Sequence, residues 1–173
     1  MTAPALLIRP STPADLPAIT AIYAQAVLHG TGTFELDPPD QAEMSRRRDD
    51  VLSKGLPWLV AQERGDPAAL VLGYAYANHF RPRKAYRFCL EDSIYLHPDA
   101  RGRGVGKLLL TRLLDVARNS GFHTVIARIE ATSTGSLALH ESLGFTKVGV
   151  EREVGRKLGR WLDSAIMQKM LAD

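Results

Sequence analysis

Residues 93–109, Ser-Ile-Tyr-Leu-His-Pro-Asp-Ala-Arg-Gly-Arg-Gly-Val-Gly-Lys-Leu-Leu, read as a β-strand, a glycine- and arginine-rich turn and the opening of an amphipathic helix. Glycines in such a turn let the backbone approach a bound group and take dihedrals that other residues avoid. Successive N–H groups at a helix N-terminus form an anion cradle. Arg101, Arg103 and Lys107 add fixed positive charge. The segment therefore predicts a binding turn for a phosphate or pyrophosphate, and it commits the chain to feeding a strand directly into a helix past mid-chain.

Two familiar phosphate turns fail on spacing. A P-loop needs Gly, four residues, then Gly-Lys-Ser/Thr; here Leu108 follows Gly106-Lys107, and Arg101 stands where the first glycine belongs. A dinucleotide fingerprint needs G-x-G-x-x-G near the start of a βαβ unit, whereas Gly102, Gly104 and Gly106 are evenly spaced. What remains is Arg-x-x-Gly-x-Gly, formed by Arg101, Gly104 and Gly106. A surface turn that is merely rich in Gly and Arg is the plain alternative, so the flanking segments must decide.

The 173 residues are 45% hydrophobic and 24% charged, the mix of one folded domain spanning 1–173. A net charge of +3 is too small to argue for nucleic acid. No aromatic residues interleave with a basic patch in the manner of a single-strand binder. The positive charge is local, at Arg46–Arg48, Arg81–Arg87, Arg101–Lys107 and Arg156–Arg160. Cys89 is the single cysteine, so neither an intrachain disulfide nor a cysteine zinc site is expected, and its apolar strand context reads as packing. His29, His79, His97 and His123 have no metal-ligand spacing. The N-terminus lacks a basic region followed by a long apolar run, and no stretch approaches the ~20 apolar residues of a membrane span. The expectation is a cytoplasmic protein without membrane contact.

Along the chain, Leu6–Arg9 reads as a strand stopped by Pro10. Ser11 or Thr12 caps a helix whose apolar stripe is Leu16, Ile19, Ile22, Tyr23 and Ala26. A loop from His29 to Pro39 precedes a polar helix opened by Asp40. Strands follow at 58–61 and 70–77, with Gly65-Asp66-Pro67 as their turn. A basic loop over 79–87 leads to a central strand, 88–96. After the phosphate turn comes a helix with Val105, Leu108, Leu109, Leu113, Val116 and Ala117 on one face, stopped by Gly121. A buried strand at 124–129, a helix over 134–143 and strands at 146–151 and 162–170 complete the chain. The order β-α-α-β-β-β-α-β-α-β-β predicts an α/β (mixed α+β) fold, a mixed sheet flanked by helices.

With this order and its Arg101-x-x-Gly104-x-Gly106 turn, the chain resembles the GCN5-related N-acetyltransferases (GNAT). Ser136-Leu-Ala-Leu-His140-Glu-Ser-Leu-Gly144-Phe145 matches that superfamily's small-x-x-Leu-Tyr/His-x-x-x-Gly-Phe helix. Thr33-Phe34-Glu35, Ala85-Tyr86-Arg87, Leu90-Glu91-Asp92-Ser93 and Gly155-Arg156-Lys157-Leu158-Gly159-Arg160-Trp161 are similar to the phosphinothricin and methionine sulfoximine acetyltransferases. The resemblance runs over nearly the whole chain. It implies the GNAT fold, with a central, mostly antiparallel mixed sheet. It also implies acetyl-coenzyme A as cosubstrate, a small-molecule amine as acceptor and a homodimer. The acceptors it implies are phosphinothricin, methionine sulfoximine and methionine sulfone, with herbicide resistance as a consequence.

The resemblance also assigns residues. The cofactor would lie on Ile94, Tyr95, Leu96, Arg101, Gly102, Arg103, Gly104, Val105, Gly106, Lys107, Ser133 and Ser136, with the pantetheine arm running along the backbone of 94–96 as an added strand. Ser133 departs from the family, which places Asn there; serine donates and accepts with shorter reach. Glu91 matches the proposed general base, or forms a salt bridge with Arg81 or Arg87. His140 matches a proton donor, or is a core histidine bonded to Glu91. Arg81 suits a substrate carboxylate, or belongs to a solvated loop. Phe34, Pro82, Arg83, Tyr86, Asp92 and Ser93 would complete the acceptor site. Lys157 and Trp161 would close it from the far end or from a dimer partner, with Trp161 in plain core as the alternative. No metal is needed. The competing functions are acetylation of a peptide N-terminus or another amine, and a coenzyme A-binding sensor without turnover; the basic 81–87 loop argues against a polyamine.

Overall fold

In the computed structural model, residues 6–64 and 70–171 are described. β1 (Leu6–Pro10) leads through a 3-10 turn at Pro13–Asp15 into α1 (Leu16–His29). That entry is fixed by charge: Asp15 accepts the Thr12 N–H at 2.7 Å, and the Arg9 guanidinium forks onto it at 2.8 Å to each oxygen. α2 (Gln41–Ser53) starts at Asp40, whose carboxylate caps the Glu43 N–H at 2.7 Å. β2 (Trp58–Glu63), β3 (Val71–His79) and β4 (Cys89–Leu96) follow, then α3 (Val105–Asn119), β5 (Thr124–Glu130), α4 (Thr134–Glu141), β6 (Thr146–Lys157) and β7 (Arg160–Met170).

The strands form one seven-stranded sheet in the order β1-β2-β3-β4-β5-β7-β6. Every neighbouring pair is antiparallel except β4 and β5. This is the mixed sheet that the element order predicts, mostly antiparallel as the resemblance implies. The strand period places alternate residues of β4 on opposite faces. Toward α1 the sheet is aromatic: Tyr95 meets Tyr23 edge-on at 4.9 Å between centroids, and Trp58 stacks on Tyr76 at 4.2 Å. Ile94 and Leu96 point the other way, toward Gly106 at the start of α3. The buried Leu109, Leu110 and Leu113 carry the α3 side of the core.

Several boundaries and faces differ from expectation. Leu108 is 47% exposed, and the buried stripe of α3 runs instead through Leu109, Leu110, Leu113 and Leu114. In α1, Val27 takes the buried place expected for Ala26. β6 extends well past 146–151 to Lys157 and β7 begins two residues before 162, at Arg160, so the two form a long hairpin closed by Leu158 and Gly159, both at positive φ. The charged, glycine-bearing 152–160 stretch has no apolar alternation to announce a strand, and a register shift between Glu151 and Gly155 breaks its period. α4 stops at Glu141 rather than 143. The turn expected at Gly65-Asp66-Pro67 lies outside the described residues.

Candidate active site

The parallel pairing of β4 with β5 lasts only from Cys89–Thr124 to Glu91–Ile126. β3 stays paired with β4 as far as Leu96, while β5 continues along β7 to Glu130. From Asp92 onward β4 therefore has one edge unpaired within the sheet, and the two strands open a wedge. At its mouth the chain turns through Pro98–Ala100 into Gly102 (φ 71°) and Gly104 (φ 78°), both in the left-handed region that favours glycine. α3 begins there, and its first helical bond runs from the Leu108 N–H to the Gly104 carbonyl. The N–H groups of Val105, Gly106 and Lys107 precede that bond and face outward at the positive end of the helix. A Cβ on Gly106 would stand 3.2 Å from Leu139 Cδ2 and 3.3 Å from Leu96 Cδ1, so β4, α3 and α4 converge at this point. Arg101 and Lys107 are exposed beside the turn, and Arg103 pairs with Glu63 at 2.6 Å. The expected cofactor residues of β4 and α3 are thus brought together. Ser133 lies at the N-cap of α4 and Ser136 in its first turns, both half-buried.

Glu91 sits at the last paired position of β4, on the α1 side of the sheet. Burial raises its pKa, only partly countered by the charges of Arg128 and Arg81. Its ion-pair partner is Arg128 at 3.7 Å, not Arg81 or Arg87. Arg128 also binds Glu151 at 2.7 Å. The signal for Arg128 was its place as a lone charge in the apolar run Val125-Ile-Ala-Arg-Ile129, at the parity of Ile126 and so of Glu91.

His140 bonds Asp92, not Glu91. Its Nε2 is 3.1 Å from Asp92 Oδ2, and its Nδ1 is 2.7 Å from the Ser136 carbonyl oxygen. The ring is 1% exposed and lies edge-on to Phe145. Burial lowers the His140 pKa, but the hydrogen bond and charge of Asp92, with the Ser136 carbonyl, outweigh it and the net shift is upward. Asp92 is buried on the face opposite Glu91 and Ser93, so the structure removes it from the acceptor side where the sequence reading had placed it. Ser93 stays on the Glu91 face and meets Tyr76.

The remaining acceptor candidates ring the loops on the Glu91 side. Arg81 lies over Phe80 and Tyr86, 4.9 Å and 5.9 Å from their ring centroids, and its charge reaches Glu91. Pro82 and Arg83 are exposed beside the 3-10 turn Lys84–Tyr86. Phe34 packs on Gly155 of β6, where a Cβ would stand 2.5 Å from its ring. Next to it, the buried Lys157 donates to the Thr33 carbonyl at 2.7 Å. Trp161 is 58% exposed, which rules out the plain-core alternative. Sequence reasoning missed two anchors of the 30–36 loop. Glu35 accepts from Arg47 at 2.6 Å and from Tyr23 at 2.9 Å, and burial pushes the Tyr23 pKa up to about 12. Glu130 ties Thr31 to Thr132 through one carboxylate. Two open cavities, of about 270 Å³ and 400 Å³, are lined by neither Glu91, His140 nor residues 101–107. Among the described residues no group of three or more His, Cys, Asp or Glu could hold a metal, and no helix is long and apolar enough to cross a membrane.

The splayed parallel strand pair, the glycine turn at a helix N-terminus and the carboxylate at the root of the wedge form a cleft suited to a phosphate-bearing ligand with a base beside it. A sequence model of the Acetyltransferase (GNAT) family matches residues 24–145. The chain is 51% identical over 158 residues to a phosphinothricin N-acetyltransferase of Alcaligenes faecalis, covering 91% of this chain and 78% of the relative. It is 42% identical over 161 residues to an L-methionine sulfoximine/L-methionine sulfone acetyltransferase of Pseudomonas aeruginosa, covering 93% and 92%. The crystal structure of a GNAT superfamily phosphinothricin acetyltransferase from Sinorhizobium meliloti, in complex with AcCoA, superposes with a TM-score of 0.92 at 46% identity, covering 96% of this chain and 89% of that one. The protein belongs to the GNAT acetyltransferase family, and it is an acyltransferase whose family uses acetyl-coenzyme A as cosubstrate.

Proposed function

We propose that this protein transfers acetyl from acetyl-coenzyme A to the amino group of a small amino acid or analogue, with phosphinothricin, methionine sulfoximine and methionine sulfone as acceptors. The observation that carries this reading is the unpaired edge of β4 running from the Glu91 position to the glycine turn at α3. The backbone of Ile94, Tyr95 and Leu96 suits the amide-bearing pantetheine arm, and the N–H groups of 105–107 with Arg101 and Lys107 suit the pyrophosphate. Bound there, acetyl-coenzyme A supplies an activated acetyl group. Glu91, whose burial raises its pKa and with it its basicity, takes a proton from the acceptor's ammonium and leaves a neutral amine to attack. Arg81, held against Phe80 and Tyr86, forks onto the acceptor carboxylate. Phe34 walls its side chain. Likeness to relatives named for these acceptors supports the choice.

The same reading takes residues 1–173 as one N-acetyltransferase domain, acting as a cytoplasmic homodimer and conferring herbicide resistance where phosphinothricin is the challenge. Following coenzyme A release over a panel of amines tests it. Turnover of the amino acid analogues, with Arg81→Ala raising their KM, is the expected result. Turnover confined to a short peptide or to spermidine would reject the carboxylate clamp.

A further inference from the structure

Three charged side chains from three strands stand in a row on one face of the sheet. Glu91 of β4 pairs with Ile126 of β5, Arg128 with Ile166 of β7, and Glu151 of β6 with Ser164 of β7. Paired residues share a face, and so do residues two apart on a strand, so Glu91, Arg128 and Glu151 all lie on the α1 side. The β4–β5 pairing stops at Glu91, and Arg128 leans back to it from two residues further along β5. The guanidinium treats its two carboxylates differently. Its terminal nitrogens fork onto Glu151, Nη1 to Oε2 at 2.7 Å and Nη2 to Oε1 at 3.4 Å. Toward Glu91 only Nε approaches, 3.7 Å from Oε2, beyond hydrogen-bond length. The planar fork would fit either carboxylate. Glu151 occupies it, and Glu91 is left with the charge but not the bond. The three side chains are 34–36% exposed, so a ligand can reach Glu91.

We propose that Arg128 and Glu151 are positioning residues for Glu91: Glu151 anchors the Arg128 guanidinium beside the Glu91 carboxylate without letting it close, which keeps that carboxylate charged and open to the acceptor's ammonium. This rests on the acetyl-transfer reading above. The step served is the transfer of one proton from the ammonium nitrogen to a Glu91 oxygen. The N–H electron pair stays on nitrogen, and the proton passes on to solvent. Burial favours the protonated Glu91 carboxyl; Arg128 is the strongest of the charges that oppose this, and Glu151 works the other way. Arg81, from the loop after β3, adds a second positive charge, and Asp92, on the opposite face of β4, a negative one. Tyr76 of β3 and Cys89 of β4 also face this charge, and burial pushes both their pKa values up, so both stay neutral. Glu130, further along β5, is engaged by Thr31 and Thr132. The two members of one ion pair therefore push Glu91 in opposite directions, which a purely structural role would not do.

The pH profile of kcat/KM for methionine sulfoximine reads this directly, because its acid limb reports the ionisation of Glu91 in the free enzyme. Arg128→Met removes the charge, so the limb should move to higher pH, with activity at the acid end down roughly threefold to tenfold. Glu151→Gln should move the limb to lower pH, while kcat falls roughly tenfold as the released guanidinium closes on Glu91. The carboxyl ¹³C shift of Glu91, followed through a pH titration of the ligand-free proteins, should show the same two displacements. Limbs that move the same way in both variants, or a limb left in place by Arg128→Met, would overturn the proposal. A Glu151→Gln enzyme with the wild-type kcat would overturn it too. If Arg128→Met does not fold, Arg128→Gln, which keeps a donor toward Glu151 without the charge, serves in its place. A wild-type protein that turns over no amino acid analogue, with both ¹³C displacements as expected, would fail the acetyl-transfer reading and leave the positioning of Glu91 standing. Turnover with neither displacement would fail the positioning alone.

Discussion

Gly104→Ala probes the turn that the whole site depends on. Gly104 is the N-cap of α3 with φ 78° and ψ −1°. No atom lies within 4 Å of where its Cβ would go, so the substitution meets no clash in the free protein. Its cost is conformational, about 1–2 kcal/mol for a residue with Cβ held in the left-handed region. A chain of 173 residues loses about 2–4 °C of Tm per kcal/mol, so the melt should fall by about 2–8 °C. Relaxing the strain re-aims the N–H groups of 105–107, and at 1.4 kcal/mol per decade the affinity for coenzyme A should fall by roughly tenfold or more. Gly135→Ala is the control. It too meets nothing within 4 Å, but it lies in α4 without a positive φ, where alanine should stabilise by up to about 1 kcal/mol. Thermal denaturation and calorimetric titration with coenzyme A read both quantities. A Gly104→Ala protein that melts within about 1 °C of wild type and binds coenzyme A equally would refute the reasoning.

Four further outcomes follow from particular contacts. Glu91→Gln should fold normally and lose roughly 10²-fold or more in kcat; equal loss of thermal stability would mark Glu91 as structural. Because Asp92 and Ser136 hold the folded His140 pKa above its unfolded value near 6.5, their stabilisation is complete below about pH 6.5 and is lost as pH rises through the folded value. Urea unfolding should show that decline, and a His140→Gln protein should not. Asp15 behaves oppositely. Burial raises its pKa, but Arg9 and Thr12 outweigh that and hold it low, so its stabilisation is present above about pH 4 and vanishes as pH falls through the lowered value. Asp15→Asn should then cost about 1–3 kcal/mol at pH 7 by urea titration. Gly155→Ala places a Cβ 2.5 Å from the Phe34 ring and must displace it, so KM for the amino acid should change while coenzyme A binding does not; the reverse pattern would remove Phe34 from the acceptor site.

The sheet and its helices were legible because apolar alternation, caps and glycine stops agree along most of the chain. The Asp40 cap and the Gly121 stop fall where the residues place them, whereas α4 ends at Glu141, ahead of Gly144. The long hairpin was not legible, because its end is held by the backbone pairing of 155–157 with 160–162 after a register shift rather than by an apolar stripe. Leu108 misled for a simpler reason, since leucines at 108, 109 and 110 let only tertiary packing choose the face. At the site, segments could be placed from motif spacing but partners could not. Which of Glu91 and Asp92 meets His140 depends on strand parity relative to α4, a relation between distant elements. Arg128 could be narrowed by parity alone once β4 and β5 were known to pair.

The central claim is that an amino acid's amino group is acetylated at the wedge beside Glu91 with the donor held on the α3 turn. Coenzyme A release, followed with acetyl-coenzyme A and phosphinothricin, methionine sulfoximine, methionine sulfone, spermidine and a short peptide, tests it most directly. The account predicts turnover of the three amino acid analogues, lowered roughly 10²-fold or more by Glu91→Gln, with the polyamine and the peptide left unmodified. Coenzyme A binding without turnover of any of the three analogues would contradict it.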